Sequence, residues 1–226
     1  MRDPDRRELH FGRIGDFGVM LDLSRDRYVG LPPTTAAPLL DLAGRLNDSS
    51  DVPSETRGLI AALIGDDSVM GAERLKIGLS QGETPRRSIY ADKPNRRSAG
   101  QTANALMALT CLIQVRSAHD NMSMATFISW LRRQKHRHRR APATPAQIAS
   151  ALNGFSAVRP WYPVKPVCRI DHPAIALLLW KKGVDASLIW GAALHPFRAH
   201  CWVQAGDIAI NETDEAARDY APILSI

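Results

Sequence analysis

Cysteine is scarce: Cys111, Cys168 and Cys201 are the only three in 226 residues. An odd number without paired spacing excludes a disulfide scaffold and a zinc ribbon, and fits a reducing compartment. No apolar run approaches the roughly 20 residues that cross a bilayer. The opening Met1-Arg2-Asp3-Pro4-Asp5-Arg6-Arg7 is too charged for a signal peptide, so a cytoplasmic protein without a membrane partner is expected. A glycine-rich phosphate loop is also missing, which assigns any ATP-using step to another protein. Aromatics make up 6% of the chain, and none interrupts the basic run Arg132-Arg133-Gln134-Lys135-His136-Arg137-His138-Arg139-Arg140. Without stacking side chains a nucleic-acid partner is disfavoured, and a solvated helix end is the simpler reading. Neither a metal nor a cofactor is expected.

What remains is ordinary globular material, 45% hydrophobic and 23% charged, with a formal net charge of +6. Its length favours two domains over one. Phe17-Gly18-Val19-Met20-Leu21-Asp22-Leu23 and Arg27-Tyr28-Val29-Gly30-Leu31 read as two strands joined by a turn at Ser24-Arg25-Asp26. Pro32-Pro33 ends the second, because proline cannot donate to a ladder. Thr34 or Thr35 is the expected cap of a helix bearing Ala36, Leu39, Leu40 and Ala43 on one face. A second helix is expected over 55–64 and a weaker third over 70–77. Residues 78–100 turn polar and basic with no period, the composition of a linker. The expected division is residues 1–85, a linker at 86–100, and residues 101–226.

Beyond the linker, helices are expected over 102–115, 123–133 and 146–152. The apolar stretch 170–180 ends at Lys181-Lys182-Gly183, a helix stop with cations at the negative end of the dipole. Strands follow over 184–190, 198–204 and 208–210. Cys168 thus stands at the start of a helix, where unpaired N–H groups and the dipole favour a thiolate. Pro173 means either that the regular helix starts near Asp171 or that it bends below Cys168. His200 and Trp202 share one face of a strand, with Ala199 and Cys201 on the other, which argues against a catalytic role for Cys201. A strand histidine facing a helix N-terminus suits proton transfer to and from a cysteine. Glu212 and Asp207 are both available as the acid that orients it.

Val167-Cys168-Arg169-Ile170-Asp171, the apolar helix, Lys181-Lys182-Gly183-Val184 and Phe197-Arg198-Ala199-His200-Cys201-Trp202-Val203 together resemble the lasso-peptide leader peptidases called B proteins. These are transglutaminase-like cysteine hydrolases. The resemblance implies Cys168 as nucleophile, His200 as base and Glu212, in Asn211-Glu212, as the acid, with Asp207 as the alternative. The family's pair is usually Asn-Asp, and its histidine motif carries alanine where Cys201 stands here. The segment 18–31 resembles the hairpin of precursor-peptide recognition elements, which have three strands followed by three helices and take the leader as an added strand. This implies leader contacts at Arg27, Tyr28, Val29, Gly30 and Leu31. The fold expected is therefore α+β, a winged-helix-like recognition domain followed by a transglutaminase- or papain-like cysteine hydrolase domain. The activity implied is leader removal from a lasso-peptide precursor, with that leader and an ATP-dependent macrolactam cyclase as partners. The alternatives are an acyl transferase of the same fold and a non-catalytic peptide- or nucleic-acid-binding module.

Overall fold

The computed structural model describes residues 6–46, 52–72, 74–80, 84–90, 99–138, 141–142 and 144–226. It is a mixed α+β structure with two sheets. The first sheet has the order β3-β2-β1-β4, from β1 (Arg6–Ile14), β2 (Phe17–Asp22), β3 (Arg27–Leu31) and β4 (Arg74–Leu79). Helices α1 (Pro33–Leu46) and α2 (Ser54–Ile64) lie between β3 and β4 in the chain. Pro33 opens α1, and Pro32 supplies the first carbonyl, accepting from the N–H groups of Thr35 and Ala36. Thr34 and Thr35 are therefore inside the helix rather than its cap, since proline fits the first helical position without loss.

The expected third helix over 70–77 is not formed. A 3-10 turn over Asp67–Val69 leads instead to β4, which pairs in parallel with β1. Leu75 and Ile77 alternate with Lys76 and are fully buried, so a period of two wins over a helical one. The segment 86–100, read as a linker, also contains a strand, β5 (Arg87–Ile89). Residues 91–98 of that segment, and Arg139 and Arg140 of the basic run, lie outside the described residues.

Three helices carry the second half: α3 (Ala99–Asn121), α4 (Met124–Arg137) and α5 (Pro145–Val158). Ser123 caps α4, and Thr144 with Gln147 forms a capping box on α5. Next come α6 (Cys168–Lys181), β6 (Ser187–Ala193), β7 (Arg198–Ala205), β8 (Ile208–Ile210), α7 (Asp214–Arg218) and β9 (Ala221–Ser225). The second sheet has the order β5-β8-β7-β6-β9. Helix α6 is the centre of this half: every residue from His172 to Trp180 is buried, as expected of a helix apolar on all sides.

The first sheet is covered on both faces. Met20, Leu9 and Phe11 pack with α1, whereas Val19 and Leu21 join the core of the helical half, in accordance with strand alternation. Strands β1 and β9 approach so closely that a Cβ on Gly12 would stand 2.6 Å from the Pro222 carbonyl oxygen. Buried charges on the first sheet are paired. Arg7 meets Asp22 and Asp66, and Glu8 meets His10 at 2.8 Å and Arg132 of α4 at 2.6 Å.

Candidate active site

Cys168 is the first residue of α6. Val167, extended before it, gives no side-chain cap, so the first N–H groups of the helix and its positive dipole end are directed at the cysteine. Arg159 fixes this entry: its Nε donates to both oxygens of Asp171 at 2.9 and 3.0 Å, and its Nη1 donates to the Val164 carbonyl at 2.9 Å. The helix runs from Cys168 through Pro173 without a break. A start near Asp171 is thus ruled out, and the missing proline N–H falls in the second turn.

His200 reaches the same point from β7. Its Nε2 lies 2.8 Å from Glu212 Oε2, and the other oxygen, Oε1, accepts the Thr213 N–H at 3.1 Å. Asn211, with φ at 56°, makes the turn that brings Glu212 back from β8; asparagine tolerates this left-handed region. The His200 ring is stacked near-parallel to Trp202 at 6.4 Å, tilted against Tyr220 at 5.1 Å and met edge-on by His172 at 5.5 Å. Across the ladder from His200 is Gly191, where a Cβ would come within 2.8 Å of the Trp202 ring.

The electrostatics separate Cys168 from His200. A hydrogen bond with Cys201 lowers the Cys168 thiol most; burial opposes this, and His200 adds to the lowering, bringing the value down to about 4. Burial lowers His200, but its hydrogen bonds to Cys168 and Glu212 outweigh that and raise it. A thiolate beside an imidazolium follows. With Nε2 given to Glu212, Nδ1 is the ring nitrogen left for the sulfur. Such a set can attack a carbonyl carbon and protonate a leaving amine.

Of the two acids considered from sequence, Glu212 is at His200 and Asp207 is not. Asp207 sits in the β7–β8 turn with its Oδ1 on Arg87 at 2.7 Å. Cys201 occupies the strand face opposite His200, and its Sγ donates to the Cys168 carbonyl at 3.1 Å. Arg27, Tyr28, Val29, Gly30 and Leu31 form the edge strand β3 of the first sheet. Tyr28 packs on Phe197 of the β6–β7 turn at 5.5 Å, and burial, then Cys201, push its hydroxyl up to about 12. Asp26, next to β3, pairs with Arg169, next to Cys168, at 3.2 Å. Sequence reasoning missed His172 and Tyr220. The first was readable from its place four residues after Cys168 on one helix face; the second carried no signal.

Residues 109–225 match the family model described as the transglutaminase-like superfamily. No curated protein and no solved structure matches the chain. Among the described residues no helix is long and apolar enough to cross a membrane.

Proposed function

The chain belongs to the transglutaminase-like superfamily, and on that premise we propose that it is a cysteine peptidase that removes the leader of a lasso-peptide precursor. The reading is carried by one observation, the 2.8 Å contact of His200 with Glu212 behind a cysteine at a helix N-terminus. The Cys168 thiolate attacks the scissile carbonyl carbon. His200 gives its proton to the departing amine as the C–N bond breaks, leaving the leader as a thioester on Cys168. Water, deprotonated by His200, then releases the leader as a free acid. Glu212 holds the imidazole and balances its charge, and the Cys168 backbone N–H contributes to holding the oxyanion.

Leader capture is assigned to residues 1–85 as a recognition unit of the winged-helix-like kind, with residues 101–226 as the catalytic unit. The edge position of β3 supports this, because an edge strand can take an extended peptide through its backbone groups. Arg27, Tyr28, Val29, Gly30 and Leu31 would line the added strand. The freed core peptide would pass to an ATP-dependent macrolactam cyclase in the cytoplasm.

The test is incubation with the small precursor peptide encoded nearby in the genome, followed by mass spectrometry. A leader-sized mass loss, absent with Cys168→Ala and retained with Cys111→Ser, is the expected result. Cys111 is buried and its thiol is pushed up to about 11 by that burial, so it is inert as a nucleophile. No loss from the wild-type chain would refute leader removal, and capture of an added amine in place of water would assign the chemistry to acyl transfer.

A further inference from the structure

Cys201 has no part in the reaction written above, yet it joins the two elements on which the reaction depends. It follows His200 on β7 and is fully buried. Its thiol donates to the Cys168 carbonyl at 3.1 Å. Cys201 is also the first of the groups that lower the Cys168 thiol. The nucleophile's own helix offers nothing comparable, since Val167 supplies no side-chain cap. We infer that Cys201 is a positioning residue, a buried donor that pins the first turn of α6 to β7 and holds the Cys168 sulfur beside His200.

The chemistry of the two thiols differs as this role requires. Burial pushes the Cys201 thiol well above its ordinary value, so it keeps its proton at working pH and remains a donor. Cys168 ionises easily, and the Cys201 hydrogen bond is the largest cause. A single S–H serves one acceptor at a time. It bonds the Cys168 carbonyl when the neighbouring sulfur is neutral, and turns to the sulfur when that becomes an anion, because a hydrogen bond to a charged acceptor is the stronger. Removing the donor therefore moves the ionisation of Cys168 to higher pH. A packing role alone would change stability and leave that ionisation where it is.

The measurement is the rate at which iodoacetamide alkylates Cys168 in the full chain between pH 3 and 9, followed on the Cys168 peptide by mass spectrometry. Thiolate reacts and thiol does not. The midpoint in Cys201→Ala is expected about one pH unit above wild type, a tenfold loss of thiolate on the acid side. Cys201→Ser, whose hydroxyl also donates, should bring the midpoint most of the way back to wild type. If Cys201→Ala does not fold, Cys201→Val, which fills the space without a donor, gives the same reading. An unchanged midpoint in the donor-free variant, or a serine variant displaced as far as alanine, overturns the inference. It rests on Cys168 as nucleophile but needs no peptide substrate. Leader removal can therefore fail while this result stands. Wild-type Cys168 alkylated no faster than Cys111 at pH 6 would instead sink the nucleophile and the inference with it.

Discussion

Glu212 holds His200 with one carboxylate oxygen while the other is held by the Thr213 N–H, so the group that orients the imidazole is itself oriented. Glu212→Gln keeps that shape and removes the charge that balances the imidazolium. A fall in kcat of about 10²–10⁴ is expected, with leader affinity unchanged. Glu212→Asp is one methylene short and must release one of the two contacts, for a loss of about tenfold, the worth of one modest hydrogen bond. Asp207→Asn, on Arg87, should stay near wild type, and a ranking in which it is the most damaging would move the acid's role there. The pH profile follows from the ion pair. Cys168 is depressed to about 4, so thiolate is present above that pH, and His200 is raised, so its proton persists past the ordinary 6.5. The kcat/KM should climb near pH 4 and fall only above 6.5, the limbs belonging to the coupled pair. A profile that begins to rise only above pH 8 would contradict an activated thiol. Cys168 and His200 were legible because each stands at a definite place in a local pattern, a helix start and a strand face. The choice between Glu212 and Asp207 was not, because both flank the short β8 and only the Asn211 turn decides which one folds back. Nor was the Cys201 contact: strand alternation says which face a side chain takes, not which helix comes to meet it.

At the scale of elements, pairing partners far away in sequence account for the misreadings. The run Arg74-Leu75-Lys76-Ile77-Gly78-Leu79 has a strand period that was open to view, but its partner residues on β1 lie 68 positions earlier; parallel pairing across such a gap leaves no local turn signal. The three residues of β5 are a strand only because β8 pairs with them. Helix α6, by contrast, was readable nearly to its ends from apolar content and the Lys181-Lys182-Gly183 stop. The basic run also resolves at this level, since Arg132 leaves α4 to meet Glu8 on β1 at 2.6 Å. Burial alone would raise the Glu8 carboxyl, but the His10 hydrogen bond and the Arg132 charge prevail and bring it down to about 2. A carboxylate depressed on folding contributes stability above its unfolded value of about 4.3, and that contribution is lost as pH falls towards 2. Arg132→Ala takes the guanidinium from the buried Glu8 and should cost about 2–4 kcal/mol at pH 7. In urea melts this cost should shrink as pH drops from 5 to 2, and a cost independent of pH would show that the pair is not its source.

In the whole molecule the two sheets do not make two self-sufficient bodies. Val19, Leu21 and Leu23 belong to the same core as α6, Arg132 satisfies Glu8, and Asp26 meets Arg169. A fragment of residues 1–85 would bare that apolar face and strip Glu8 of a partner, so leader capture is best tested in the full chain. The proposed leader strand β3 begins close to Cys168, because its neighbour Asp26 contacts Arg169 and its Tyr28 packs on Phe197. Two positions on one strand therefore separate binding from chemistry. Val29 packs towards the α1 side, away from Cys168, and Val29→Pro removes one donor of the β2–β3 ladder, where Val29 faces Met20, and kinks the edge. Leader affinity by calorimetry should fall at least tenfold, while kcat/KM on a short leaderless peptide stays within about twofold. Tyr28 faces the other way, onto the core that includes Cys168. Tyr28→Ala takes an aromatic wall from both the leader groove and the catalytic site, so affinity and leaderless turnover should fall together. Equal damage to leaderless turnover by both substitutions would mean that β3 acts only as a support for α6, and that the leader binds elsewhere.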